Sequence, residues 1–261
     1  MRMEFYPGFP ITVNTQPMGF AYGEGVQGPA PELRKLSQIR PSLLDPGCAG
    51  PENVYCIAMD VAERQDHPAL VEQNLLYGVV TYARGSLGNE PIRSQGHIHA
   101  VSPSCGASTC EVYEIWDGEA CIYMQESGSD DAGRCYAVTG QPGDVIIVPP
   151  GWVHATVNSD PARSMTFGAW CVRDYGFDYK DVRRHGGIAF FPLLTDSGQL
   201  RWEKNPSYRS AELIVKPART YEDFGIAPGK PIYQQYQEAP HLFDFVTRPL
   251  DFPELWENYQ P

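Results

Sequence analysis

Short apolar runs, cut by glycine, proline and small polar residues, dominate the chain between residues 54 and 203. Apolar and polar positions alternate over 54–61, and 75–83 carries Val79, Val80, Thr81 and Tyr82. Period-two alternation places successive side chains on opposite faces, so both stretches predict strands. Further strands are predicted at 111–116, 120–125, 134–139, 144–148 and 164–172. Turn chemistry separates them, as in Ser127-Gly128-Ser129-Asp130-Asp131 and Gln141-Pro142-Gly143. Residues 187–194 and 199–203 predict a closing hairpin around Asp196-Ser197-Gly198. Strands at this regular spacing imply an all-β barrel or jelly roll in which facing sheets enclose a pocket.

The flanks differ in character. Residues 1–30, rich in glycine and proline, read as an extended arm, and 31–36, with Pro31 in its first turn, as a short helix. Residues 66–73 read as a polar connection and 85–90 as a turn. A helix is predicted over 231–238, where Tyr233 and Tyr236, with Phe243 and Phe245 beyond, would bury aromatic surface against the barrel or a partner subunit. The expected organisation is a single domain: an N-terminal arm over 1–50, a barrel over 51–208 and a partly helical C-terminal extension over 209–261.

Composition narrows the partners. The 261 residues are 42% hydrophobic, enough for a core, and 24 prolines with 25 glycines suit many tight turns. A formal charge of −12 without a basic run argues against nucleic acid or an anionic membrane surface as a partner. An anionic metabolite would then need a local cluster of donors or a metal. The seven cysteines (Cys48, Cys56, Cys105, Cys110, Cys121, Cys135 and Cys171) form no C-x-x-C pair, the start has no apolar h-region, and no later segment is long and apolar enough to span a bilayer. The expectation is a cytoplasmic protein with reduced thiols. Cys105 and Cys110 bracket a stretch that reads as an ordinary loop, with pairing or metal binding as alternatives.

The chemistry concentrates between Ser94 and Asn158. His97 and His99 lie two apart and share one face of an extended chain. Glu111 begins a second strand-like run, and His154 follows a third across Pro149-Pro150-Gly151. Three imidazoles and one carboxylate from neighbouring strands can converge on one divalent ion, with Fe, Mn, Ni, Co and Zn all compatible with such N/O donors. Gly143, Pro149, Gly151, His154 and Asn158 fit the second cupin motif, G-x5-P-x-G-x2-H-x3-N, at every position. The first motif is matched through His97-x-His99 and Glu111. It departs at Pro91, which stands where that motif has glycine, and in the eleven residues between His99 and Glu111.

From about Pro31 to Tyr208 the chain resembles the cupin-type glucose-6-phosphate isomerases of archaea and some bacteria. The resemblance is carried by Arg34-Lys35-Leu36-Ser37, Gly88-Asn89-Glu90, Ser94-Gln95-Gly96-His97-Ile98-His99, Glu111-Val112-Tyr113, Gln125, Pro142-Gly143 and Val148-Pro149-Pro150. It continues through Trp152-x-His154, Thr156-x-Asn158 and Asp174-Tyr175-Gly176-Phe177-Asp178-Tyr179. It implies that His97, His99, Glu111 and His154 hold the metal, that Glu111 also moves a proton, and that Tyr113 contacts the sugar. It further implies that Ser94 and the Gly96 backbone hold the substrate phosphate, with Thr81 and Tyr179 among the substrate contacts, and that the protein is a homodimer. The family's threonine pair aligns with Val80-Thr81, a tyrosine with Cys171 and a histidine with Phe177, so the departures fall on the substrate wall. Arg84, Arg93 and Arg173 are candidates to compensate, since guanidinium binds phosphate through a two-pronged fork.

The function these residues imply is metal-dependent aldose–ketose isomerisation, with glucose 6-phosphate and fructose 6-phosphate as the pair. Isomerisation or epimerisation of another sugar, or sugar binding without turnover, are the alternatives. Transfer of the hydrogen as a proton through Glu111 and as a hydride between carbons are equally compatible with the residues.

Overall fold

In the computed structural model, which describes residues 3–209 and 212–261, the strands Leu75–Tyr82 and Met165–Val172 are buried at every position. A sheet with one wet face would alternate buried and exposed residues; here both faces are covered. These strands occupy the middle of a six-stranded antiparallel sheet, in the order Val145–Val148, Glu111–Asp117, Met165–Val172, Leu75–Tyr82, Asn53–Met59 and Glu32–Lys35. Opposite it stands a four-stranded sheet of Val153–Asn158, Ala120–Gln125, Cys135–Gly140 and Leu213–Pro217, whose last pair is parallel. Tyr82, Ile115 and Phe167 from the first sheet meet Ile122, Met124 and Val138 from the second in a shared core. The architecture is an all-β jelly roll, with the ladders of the two sheets separate among the described residues.

The outer face of the larger sheet is covered by the chain's own ends. Val112, Trp116, Tyr77 and Trp170 point outward and pack with Phe9, Tyr233, Tyr236, Phe243 and Phe245. The aromatic surface of the C-terminal extension is therefore buried on its own jelly roll. Trp170 and Tyr233 stack with centroids 5.4 Å apart. Among these apolar groups lies Glu114, 0% exposed. Its Oε1 accepts the Ile232 N–H at 2.7 Å and its Oε2 the Trp116 Nε1–H at 3.0 Å, which pins the start of the helix Ile232–Glu238 to the sheet. Burial pushes the Glu114 carboxyl up to about 8.

Three local expectations are corrected. The helix expected over 31–36 is instead the edge strand Glu32–Lys35, paired with Asn53–Met59, and a helix forms only at Leu36–Ile39. Six residues have too little helix propensity to outweigh a ladder offered by an open sheet edge. The polar connection over 66–73 contains the helix His67–Glu72, because Leu70 on its inner side is fully buried in the outer core. The expected arm contains a hairpin, Ile11–Thr15 against Met18–Tyr22. The closing hairpin forms as expected, from Phe190–Leu194 and Leu200–Lys204. All seven cysteines are free thiols, and Cys105 and Cys110 donate instead to backbone carbonyls of Ala107 and Phe245. No helix among the described residues is long and apolar enough to cross a membrane.

Candidate metal centre

The segment after Ile92 runs along the edge of the four-stranded sheet, bridged from Arg93 to Val157 and from His97 to His154. The last bridge is reciprocal: the His97 N–H donates to the His154 carbonyl at 3.0 Å and the His154 N–H to the His97 carbonyl at 2.9 Å. It brings the two imidazoles to 4.3 Å between centroids, while His97 and His99, two apart on one face, lie 5.4 Å apart. Glycine is required just before them. Gly96 has φ +90°, and a Cβ there would meet Ile188 Cγ2 at 2.7 Å. Glu111 arrives from the six-stranded sheet, at the first position of Glu111–Asp117, and completes the group.

One donor atom from each of His97, His99, Glu111 and His154 lies within 4.8 Å of the others. His99 Nε2 and His154 Nε2 each stand 3.3 Å from Glu111 Oε2, and the Tyr113 hydroxyl donates to the same oxygen at 2.8 Å. The other ring nitrogens are engaged: His99 Nδ1 with the Thr109 carbonyl at 3.1 Å and His154 Nδ1 with the Trp152 carbonyl at 3.2 Å. A carbonyl can only accept, so each Nδ1 carries the proton and each Nε2 presents a lone pair to the centre. His97 Nε2 and His154 Nε2 are buried without a hydrogen-bond partner. Burial holds the His97 imidazole well below its usual pKa and lowers that of His154, favouring the neutral, ligating form. His99 Nε2 and His154 Nε2 therefore face Glu111 Oε2 lone pair to lone pair at 3.3 Å, an arrangement that a cation between them relieves. Orphaned lone pairs, neutral imidazoles and one ionised carboxylate make a donor set that fits a divalent transition ion.

The stretch between His99 and Glu111 supports this centre from behind. Thr109 supplies the carbonyl that orients His99, and the Ser108 hydroxyl accepts the Gly151 N–H at 3.0 Å, tying the stretch to the corner before His154. Asp174 anchors the other end. Its carboxylate accepts from Ser102 Oγ at 2.7 Å, the Ser104 N–H at 3.0 Å and Asn74 Nδ2 at 3.1 Å. Gln125 and Asn158, both carried by motif matches, hold backbone: Gln125 Oε1 accepts the Ala189 N–H and Asn158 Nδ2 donates to the carbonyls of Ala83 and Arg163.

A cavity opens beside the centre, lined by His97, Glu111, Tyr113, Ser94, Gln95 and Thr156. Arg34, Tyr55, Val80, Tyr82, Phe177 and Tyr179 line it as well. Ser94, Tyr113 and Tyr179 thus line it, and Gly96 falls between two lining residues. Ser94 Oγ accepts the Thr156 N–H at 3.0 Å. Thr81 does not reach the cavity. Alternation along Leu75–Tyr82 gives that face to Val80 and Tyr82, while Thr81 takes a hydrogen bond from Thr166 at 2.9 Å. The compensating arginines are also elsewhere. Arg93 is fully buried against Glu90, Arg173 forks onto Asp60 at 2.7 and 2.8 Å, and Arg84 is exposed beside a separate cleft. Arg34 and Tyr55 went unassigned from sequence because Arg34 sat in an expected helix; its pairing opposite Tyr55 is visible only once the edge strand forms.

The profile of the family described as glucose-6-phosphate isomerase (GPI) matches residues 47–211. A glucose-6-phosphate isomerase of Thermococcus gammatolerans is 28% identical over 137 residues, 52% of this chain and 66% of its own length. One of Pyrococcus horikoshii is 25% identical over 194 residues, 71% of this chain and 92% of its own length. The chain thus spans just under two thirds of the first of these relatives and most of the second. Among solved structures, vicilin from Corylus avellana aligns with a TM-score of 0.36 at 13% identity, covering 50% of this chain and 33% of that one. The matched region takes in more than half of the 261 residues and all four of His97, His99, Glu111 and His154, and the chain belongs to the glucose-6-phosphate isomerase family.

Proposed function

We propose that this chain is a metal-dependent aldose–ketose isomerase that interconverts glucose 6-phosphate and fructose 6-phosphate. The observation that carries the reading is the convergence of His97, His99, Glu111 and His154 at the wall of a cavity, with two buried Nε2 atoms lacking hydrogen-bond partners. These four would hold one divalent ion (Fe, Mn, Ni, Co or Zn), which supplies positive charge to the oxygens of a carbonyl and its neighbouring hydroxyl. Moving hydrogen between C1 and C2 requires a positioned acid–base, and Glu111 is the carboxylate at the cavity wall. Its close partners His99, His154 and Tyr113 all gather at Oε2, so Oε1 is the oxygen left to exchange a proton with substrate. Tyr113 holds Glu111 in place, and its own hydroxyl, pushed up in pKa by burial and then by the Glu111 charge, stays protonated as a donor. In this reading Ser94 and the Gly96 backbone also contact the substrate's phosphate.

A second sugar remains in view for a specific reason. Much of the cavity lining is apolar, from Ile57, Met59, Val80, Ala169 and Phe177, where few groups can bond sugar hydroxyls. The protein acts as a homodimer in this reading. Support comes from the edge strand Leu213–Pro217, which leaves Ile214 48% and Val215 57% exposed at a margin without a strand partner among the described residues. The test is turnover of metal-supplemented protein across a panel of aldoses and their phosphates. Glucose 6-phosphate as the best substrate supports the assignment. A better unphosphorylated or different sugar replaces the substrate, and no turnover of any sugar removes the isomerase.

A further inference from the structure

An anionic substrate needs a cation where its charge comes to rest, and a chain of formal charge −12 offers few. Among the described residues, Arg34 is the one arginine or lysine that lines the cavity holding His97 and Glu111. Its side chain is 19% exposed, and its Nε is buried without an acceptor. Glu32 Oε1, 3.4 Å from the guanidinium, belongs to a side chain that is 65% exposed and weakly held. A guanidinium N–H taken out of water with nothing to bond is costly in the empty protein, and an acceptor carried in by a ligand offsets that cost. Tyr55 and Tyr179 stand on the same wall, with the Arg34 guanidinium carbon 6.0 Å from the Tyr55 ring centre. Behind Tyr179 is a second cation: Arg183 lies 5.0 Å over its ring and donates from Nε to Gln95 Oε1 at 3.0 Å.

We propose that Arg34 is the anion anchor of this cavity, its guanidinium taking the phosphate group of a sugar phosphate between the Tyr55 and Tyr179 side chains. The identity of that anion as a sugar phosphate rests on the isomerase reading; the anion site itself does not. Arg34 thereby fills the role for which Arg84, Arg93 and Arg173 are misplaced. The anchor and the reacting end share one chamber, so a substrate held by its phosphate presents its open-chain carbonyl end to Glu111.

Binding without turnover tests the anchor. Sorbitol 6-phosphate and sorbitol have no carbonyl to isomerise, and calorimetric titration of the full chain as purified compares them directly. The unsubstituted chain is expected to bind sorbitol 6-phosphate more tightly than sorbitol. Arg34→Gln is expected to weaken sorbitol 6-phosphate binding by about tenfold or more with sorbitol unchanged, and Arg34→Lys to fall between, since it keeps charge and loses the fork. Glu32→Gln, at an exposed position two residues before Arg34, removes the competing carboxylate and is expected to tighten sorbitol 6-phosphate binding by roughly two- to threefold. Equal affinity for the phosphate in the Arg34→Gln and unsubstituted chains, no tightening in Glu32→Gln, or no preference for the phosphate over sorbitol overturns the proposal. A chain that binds sorbitol 6-phosphate through Arg34 yet turns over no sugar phosphate keeps the anchor and loses the isomerase.

Discussion

Glu111 carries two duties at once, ligand and acid–base, and the two separate experimentally. Glu111→Gln keeps an oxygen for the ion and removes the proton carrier, so kcat should fall on the order of 10²–10⁴-fold in molecules that retain metal. An unchanged kcat per bound ion would show that another group moves the hydrogen. At this scale the sequence was most informative where motif spacing names a residue directly: His97, His99, Glu111 and His154 converge as expected. It was least informative where one residue of register decides the face. Thr81 was expected at the substrate, but Val80 lines the cavity and Thr81 bonds to Thr166 behind it, because a shift of one position flips a strand side chain to the other side.

Two elements that motif spacing alone leaves without a role turn out to brace the site and the sheet. The stretch from Ser102 to Thr109 lengthens the first motif, yet it supplies the carbonyl for His99 and the hydroxyl for Gly151, and Asp174 fastens its far end. Asp174→Ala should loosen that support and weaken metal affinity by about tenfold or more, as loss of a group orienting a ligand does. Competition with a chelator measures it, and unchanged affinity would mean the stretch holds its shape without Asp174. The C-terminal extension, in turn, is latched through buried Glu114. Its folded pKa of about 8 lies above the reference 4.5, so between these values the folded chain keeps a proton that the unfolded chain releases. Stability from this group is therefore complete below about pH 4.5 and falls as pH rises toward 8, by a loss on the order of 1–4 kcal/mol. Glu114→Gln, which mimics the neutral acid, should flatten that decline in denaturant titrations from pH 5 to 9; an equally steep decline in the variant would place its cause elsewhere. Neither brace was legible beforehand, since the partners of Asp174 and Glu114 lie as far as 100 and 118 residues away in the chain.

At the level of the whole molecule, strand periodicity and turn chemistry sufficed to read the jelly roll, because each strand's pattern is local. What escaped was how the ends return: the edge strand Glu32–Lys35, the hairpin near the start and the helix His67–Glu72 form through contacts made only when the sheet exists. The margin at Leu213–Pro217, without a strand partner among the described residues and with exposed Ile214 and Val215, leads us to predict a dimer, and sedimentation showing a monomer at every concentration would contradict it. The central claim is that His97, His99, Glu111 and His154 hold one divalent ion on which sugar isomerisation depends. Elemental analysis paired with turnover, before chelation, after it and after metal is restored, tests it most directly. The account predicts about one transition ion per chain, lost together with activity in chelator and regained together with it. Full isomerase activity in protein without a stoichiometric ion would contradict it.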